Sequence, residues 1–227
     1  MNKISYFVVG CVMILSSCSN QNSKAMADTK ITEGMPSAET LNLVEKDKPG
    51  QTDTATLAAG CFWCVEAVFQ NLNGVISVTS GYSGGTVKNP SYREVCTGNT
   101  GHAEVCNIVY DPSKISFDEI LEVFWKTHDP TTMNQQGNDV GTQYRSAIFY
   151  HNEKQKALAE KYKKALNESG AFNAPIVTEI TPYTNFYKAE DYHQNYFNEN
   201  GDQPYCRFVI QPKVEKFKAV FKDKLKK

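Results

Sequence analysis

Residues 54–72 read TATLAAGCFWCVEAVFQNL. Thr54 to Gly60 form a short run with the composition of a strand that ends on a glycine. Val65 to Leu72 then place apolar residues at helical spacing until Asn73-Gly74 stops them. A strand running directly into a helix leaves Cys61 at the junction. Unpaired backbone N–H groups and the helix dipole favour an anion there, so its thiol is expected to ionise more easily than a free one. Cys61-Phe62-Trp63-Cys64 admits three readings: a disulfide-exchange pair, half of a metal site, or one nucleophile whose aromatic neighbours belong to a substrate pocket. Phe62 and Trp63 are equally compatible with plain core packing.

Outward from this junction, VISVTSGYSGG (75–85) reads as a strand and a glycine turn, and HAEVCNIVYD (102–111) alternates as a strand does. SFDEILEVFWKTHD (116–129) opens with a Ser cap and continues as an amphipathic helix. YRSAIFYH (144–151) is a strand, NEKQKALAEKYKKALNES (152–169) an exposed helix closed by Gly170, and APIVTEITP (174–182) a further strand. The C-terminal PKVEKFKAVFKDKLKK is read as a helix with Val214, Phe217, Val220, Phe221 and Leu225 on one face, packed on the domain with its lysines in solvent. There is no Gly-x-Gly-x-x-Gly or Walker motif to hold a nucleotide. The pattern suits a two-layer α+β domain.

The 227-residue chain has an apolar fraction of 41% and a formal net charge of -1, which provides no field for nucleic acid. One domain with appendages is expected, and a monomer is the simplest state. Residues 1–20, MNKISYFVVGCVMILSSCSN, carry Lys3, an apolar stretch from Ile4 to Leu15 and small residues before Cys18. This is a secretory signal. Its Leu15-Ser16-Ser17-Cys18 resembles a bacterial lipobox, so residues 1–17 are expected to be cleaved and Cys18 to carry a lipid anchor. That places the protein in the cell envelope, held to a membrane after export. Residues 18–53 then form a polar, flexible tether, and the domain occupies residues 54–227. Of seven cysteines, Cys61, Cys64, Cys96, Cys106 and Cys206 remain in the domain. An odd set is not a purely structural disulfide framework. Cys96 and Cys106 are read as buried thiols.

Two further stretches carry polar chemistry. NPSYREVCTGNTGHAEV (89–105) places Tyr92 and Glu104 in and after a glycine-rich loop, and NQQGNDVGTQYRSAIFY (134–150) is a long polar loop with Asp139 and Tyr144. Such loops are more often functional than connective. Together with Cys61 they amount to thiol chemistry with acid and phenol donors.

GCFWCVEAVF (60–69), GYSGG (81–85), NPSYREVCTGNTGHAEV, HDPTTMNQQGNDVGTQYRSAIF (128–149) and DYHQNYF (191–197), in this order and spacing, closely resemble the A class of peptide methionine sulfoxide reductases, over roughly Thr54 to Lys213. The resemblance implies an α+β sandwich with a ferredoxin-like core and reduction of the S epimer of methionine sulfoxide, free or in proteins. It implies Cys61 as nucleophile, Phe62 and Trp63 around the substrate methyl group, Glu104 as the acid for the sulfoxide oxygen, Tyr92 and Tyr144 as hydrogen-bond donors to it, and Asp139 acting through water. Burial would raise the Glu104 pKa and keep it protonated. No metal or bound cofactor is implied; electrons come from thioredoxin or a thioredoxin-like protein. Glu66 is read as a helix-stabilising carboxylate in the first turn after Cys61, and His193 as a structural histidine.

Most members of that family carry Gly after the Trp, where this chain has Cys64. The sulfenic acid left on Cys61 needs a second thiol, and Cys206 and Cys64 are the candidates. Cys206, in GDQPYCRFVIQPK (201–213), is favoured as part of a mobile segment able to fold over the site, with Cys64 as a relay or packing residue. A general disulfide oxidoreductase would share the helix-start C-x-x-C but has no need of Tyr92, Glu104, Asp139 and Tyr144. A zinc module lacks a second close Cys/His pair.

Overall fold

The computed structural model describes residues 50–227. The signal stretch, Cys18 and most of the expected tether lie outside the described residues. Asp53–Ala59 form β1, one residue earlier than the sequence suggests, and Phe62–Phe69 form α1 directly after it. The other main elements are β2 (Val75–Ser83), α2 (Tyr92–Cys96), β3 (Ala103–Tyr110), α3 (Phe117–Thr127), the small hairpin β4 (Gln135–Gln136) and β5 (Asp139–Val140), β6 (Ser146–Tyr150), α4 (Glu153–Ser169), β7 (Glu179–Pro182), β8 (Tyr187–Lys188), α5 (Tyr196–Glu199) and α6 (Gln211–Val220). A π-helical turn, Cys206–Ile210, leads into α6.

Strand order in the six-stranded sheet is β7-β6-β1-β3-β2-β8. Its four central strands, β6-β1-β3-β2, pair antiparallel throughout, and α1 and α3 join β1 to β2 and β3 to β6. This is the β-α-β-β-α-β arrangement of a ferredoxin-like core, extended at one edge by the parallel strand β7 and at the other by β8.

β1 is buried on both faces. Ala55, Leu57 and Ala59 join the main core with α1, α3 and α4, while Ala58 packs on the far side with Ala103, Val105, Ala147 and Phe149. That double burial explains why Leu57, Ala58 and Ala59 are apolar in succession rather than alternating. α1 is apolar on nearly every side, with Phe62, Val65, Ala67, Val68 and Phe69 all buried. It lies between β2 and β3 beneath it and α5, the π-helical turn and α6 above it, and a helix apolar all round needs such a double cover.

Local capping accounts for the helix starts. Ser116 and Glu119 form a capping box on α3, Asn152 caps α4, and Gly170 closes α4 in the left-handed conformation at φ 65°. A second capping box, Ser91 with Glu94, turns part of the expected glycine-rich loop into α2. The C-terminal helix is shorter than the sequence suggests. Val214, Phe217 and Phe221 are buried, but Val220 is exposed because it lies off their i, i+3, i+7 stripe. Leu225 is beyond the helix and bridges to Leu72. Cys96, at the end of α2, is exposed rather than buried; Cys106 on β3 is buried.

Candidate active site

The strand–helix junction depends on Gly60, whose φ of +84° is a left-handed conformation that side chains resist. A Cβ there would also stand 2.5 Å from the Gln136 Cβ, so the β4–β5 hairpin closes directly over the junction. Cys61 occupies the N-cap position of α1 with φ -54° and ψ 123°, and its side chain makes no capping bond. The Sγ is therefore free for other partners, which are the thiol of Cys64, one turn along, and the Tyr205 hydroxyl.

Glu104 reaches the same helix start from β3. Its side chain is 1% exposed, and Oε2 accepts a hydrogen bond from the Phe62 amide at 3.0 Å. The carboxyl thus takes one of the amides that a helix N-terminus leaves unpaired, directly beside the cysteine. Burial pushes its pKa up to about 8, against the lowering effect of the Phe62 bond, and the charge of Asp139 adds to the rise. At neutral pH Glu104 is a carboxylic acid, as the resemblance implies.

The expectation for Cys61 itself is overturned. Burial, then the hydrogen bond with Cys64, then the negative charge of Glu104 raise its thiol well above the ordinary value. The helix start favours a thiolate, but removing the sulfur from water outweighs it. The more acidic partner is Cys64, lowered to about 7 first by the bond from Cys61 and, against the effect of burial, by the Lys213 charge and the Tyr205 hydroxyl. With Glu104 protonated, one obstacle to ionising Cys61 is absent, so the proton on Glu104 serves both groups.

The phenols of Tyr92 and Tyr144 are both raised, first by burial and next by the Glu104 charge; Cys61 also acts on Tyr144. Both remain hydrogen-bond donors at any physiological pH. The Tyr92 backbone N–H donates to Glu190 Oε1 at 2.8 Å, and Glu190 Oε2 accepts from Tyr82 at 2.9 Å. Asp139, on β5, accepts a 2.6 Å hydrogen bond from the Tyr205 hydroxyl. The structure therefore brings Cys61, Cys64, Glu104, Tyr92, Tyr144 and Asp139 into one electrostatic neighbourhood.

The two aromatics differ. Phe62 is fully covered, set among Tyr82, Tyr92 and His193, and forms the rear of the wall. Trp63 is partly exposed; Tyr196 stacks on one of its faces at 3.7 Å and Tyr205 meets it edge-on at 5.8 Å. The Trp63 indole N–H donates to His193 Nδ1 at 3.2 Å. His193 is buried, its pKa lowered by desolvation, and it holds Trp63 as a neutral ring.

Cys206 does not lie on an open mobile arm. It is fully buried at the start of the π-helical turn, immediately behind Tyr205. Glu66 is also not a first-turn dipole partner. It is buried on α1 and accepts hydrogen bonds from the amides of Asn195 at 2.9 Å and Tyr196 at 3.3 Å, tying the C-terminal segment to the helix. Tyr196, Tyr205, Glu190 and Tyr82 were missed in the sequence reading. The aromatic run DYHQNYF, the Tyr before Cys206 and the GYSGG stretch were local signals for Tyr196, Tyr205 and Tyr82, while Glu190 lies just before the first of these.

Among the described residues no group of three or more His, Cys, Asp or Glu is placed to hold a metal ion. A depression of about 350 Å³ between Leu166 and the Phe172–Pro175 loop contains none of these residues.

The peptide methionine sulfoxide reductase family model matches residues 53–225. The chain belongs to this family. It is 54% identical over 173 residues to peptide methionine sulfoxide reductase MsrA of Trichodesmium erythraeum, covering 76% of this chain and 98% of that protein. Among solved structures it is similar to reduced Mxr1 of Saccharomyces cerevisiae, with a TM-score of 0.63 at 38% identity, covering 71% of this chain and 92% of that one. Methionine sulfoxide reductase A of Corynebacterium diphtheriae gives a TM-score of 0.60, also at 38% identity, covering 74% and 82%. The reaction is thus the reduction of methionine sulfoxide to methionine.

Glu66 generates a stability prediction. Glu66→Ala leaves two inward-facing amides without an acceptor and is expected to destabilise the domain by on the order of 2 kcal/mol in urea unfolding. Because Tyr196 is stacked on Trp63 and the other tryptophan, Trp125, is buried elsewhere, the native-state tryptophan fluorescence should change as well. An unchanged spectrum and unfolding midpoint would show that this tie does not hold the C-terminal segment.

Proposed function

We propose that the chain reduces the S epimer of methionine sulfoxide, free or within proteins, with Cys61 as the nucleophile and Glu104 as the acid. The observation that carries this reading is the buried Glu104 carboxyl bonded to the Phe62 amide, which sets a proton donor beside the cysteine at the N-cap position of α1. The Cys61 sulfur attacks the sulfoxide sulfur as Glu104 protonates the sulfoxide oxygen and the thiol proton replaces the one given up. A second protonation by Glu104 breaks the S–O bond of this adduct and releases the oxygen as water, leaving Cys61 joined to the substrate sulfur as a sulfonium. Water then attacks the Cys61 sulfur and the S–S bond breaks. Methionine leaves reduced by two electrons, and the proton released returns to Glu104 as Cys61 becomes a sulfenic acid. Tyr92 and Tyr144 donate hydrogen bonds to the oxygen as it gains charge, and Trp63, backed by Phe62, encloses the substrate methyl group. Asp139 supports the acid from its hairpin.

Cys64 is the resolving thiol. It lies one helical turn from Cys61, bonds to it and is the more acidic of the two, whereas Cys206 belongs to a separate element, the π-helical turn. Cys206 is left as a second acceptor for the disulfide. A dithiol protein of the thioredoxin type returns the pair to thiols; no metal or bound organic cofactor enters the cycle.

Single-turnover reduction of chirally defined methionine sulfoxide tests these roles. Cys61→Ser should form no methionine. Glu104→Gln should lower the rate by about 10²–10⁴. The parent rate should fall as pH rises through about 8, because Glu104 then loses its proton, and the Glu104→Gln variant should lack that limb. Two thiols should disappear per methionine in the parent and in Cys206→Ser, and this pairing should fail in Cys64→Ser. Methionine formation by Cys61→Ser would overturn the mechanism.

The same proposal places the enzyme in the bacterial envelope as a lipid-anchored monomer. Support comes from the signal-like residues 1–17 and from Leu15-Ser16-Ser17-Cys18, with residues 18–53 as the tether. Among the described residues no helix is long and apolar enough to cross a membrane, so anchoring would rest on the lipid. Cells expressing the full chain should incorporate labelled fatty acid into it, and Cys18→Ala should abolish the label; label retained in that variant would contradict the assignment.

A further inference from the structure

Tyr205 is given no role in the sulfoxide chemistry above, yet its hydroxyl stands among three groups of the site: Asp139, Cys64 and Cys61. It donates to Asp139 Oδ2 at 2.6 Å and lies 4.0 Å from the Cys64 Sγ. Its ring is held edge-on against Trp63, whose other face is covered by Tyr196, so the hydroxyl is presented from a fixed frame. A phenol has one hydrogen and two lone pairs. While Cys64 carries its proton, the phenol gives its hydrogen to Asp139 and can accept from the Cys64 thiol. Once Cys64 is a thiolate, the same hydrogen has a second anionic acceptor within a small rotation.

We propose that Tyr205 is a positioning residue for disulfide closure: it holds the Cys64 sulfur through its hydroxyl and directs it at the sulfenic acid of Cys61. This rests on the reading above that Cys61 is the nucleophile and Cys64 the resolving thiol. In the closure step the Cys64 sulfur supplies the electron pair of the new S–S bond and the Cys61 S–O bond breaks. Hydroxide departs and becomes water with the proton that Cys64 gave up, so thiol and sulfenic acid become disulfide and water with no outside oxidant or reductant.

The groups acting on Cys64 come from every element around it. Cys61 is on its own helix, Lys213 on α6, Asp139 on β5, Glu104 on β3 and Cys206 behind Tyr205 in the π-helical turn. Lys213 and Tyr205 favour the thiolate, while Asp139 opposes it. Tyr205 is the group that faces both Asp139 and Cys64 through one oxygen, so it can shield the sulfur from that carboxylate as well as bond to it.

Tyr205→Phe keeps the ring against Trp63 and removes only the hydroxyl. The full chain and this variant are each given one equivalent of (S)-methionine sulfoxide, with methionine and remaining thiols counted over time from pH 6 to 9. A parallel sample contains a cyclic 1,3-diketone to capture sulfenic acid. Closure relative to methionine formation is expected to slow about tenfold in Tyr205→Phe, the loss of one bond to a charged sulfur, with more diketone captured on Cys61. The pH midpoint of closure should move upward from that of the parent. A closure-to-methionine ratio and midpoint equal to the parent's would overturn the proposal, because a residue serving only as packing would move neither. Two control variants separate its failure from that of its premise. Methionine made by Cys61→Ser removes the nucleophile assignment, and closure at the parent rate by Cys64→Ser removes the resolving thiol; the proposal falls with either.

Discussion

Everything in this site is arranged around one buried carboxyl. Glu104 gives up its hydration to sit beneath the start of α1, where the Phe62 amide is its hydrogen-bond donor. An ionised carboxylate in that place would be costly, so the group keeps a proton to about pH 8. The same proton is what a sulfoxide oxygen requires as its bond to sulfur breaks. β3 supplies the carboxyl, β1 and Gly60 aim the helix at it, and the β4–β5 hairpin closes over the junction. The ferredoxin-like core therefore serves as the frame that brings a strand side chain and a helix N-terminus together from 42 residues apart in sequence.

The electrostatics also divide labour between the two thiols. Burial suppresses ionisation of Cys61, while its hydrogen bond and Lys213 ease ionisation of Cys64. A nucleophile held as a thiol until substrate arrives is protected from idle oxidation, which follows thiolate character and exposure. A resolving thiol that ionises near neutral pH is ready as soon as the sulfenic acid forms. The C-terminal segment contributes by covering rather than reaching: Glu66 fastens its amides, Tyr196 stacks on Trp63, and Tyr205 stands over the thiol pair.

Local signals carried much of this. The strand-to-helix step at Gly60-Cys61, the Ser116 cap and the Gly170 stop are encoded within a few residues and were readable as such. The roles of Cys61 and Glu104 needed the family motifs, since no local pattern says that β3 passes under α1. What stayed hidden depends on long-range packing. Glu66 meets amides about 130 residues away, and Cys206 looks mobile in a Gly/Pro-containing stretch until the π-helical turn buries it. The acidity of Cys61 was misjudged because helix position is visible in sequence whereas desolvation is not. Ser91-x-x-Glu94 was a legible capping box that the glycines around it obscured.

Glu104 is a neutral acid in the resting enzyme. Infrared difference spectra between the parent and Glu104→Gln, recorded from pH 4 to 10, isolate this carboxyl directly. A protonated carboxyl band belonging to Glu104 should persist through neutral pH and disappear with a midpoint near 8. A Glu104 carboxylate signal already complete at pH 6, with a midpoint near the ordinary 4.5, would contradict it.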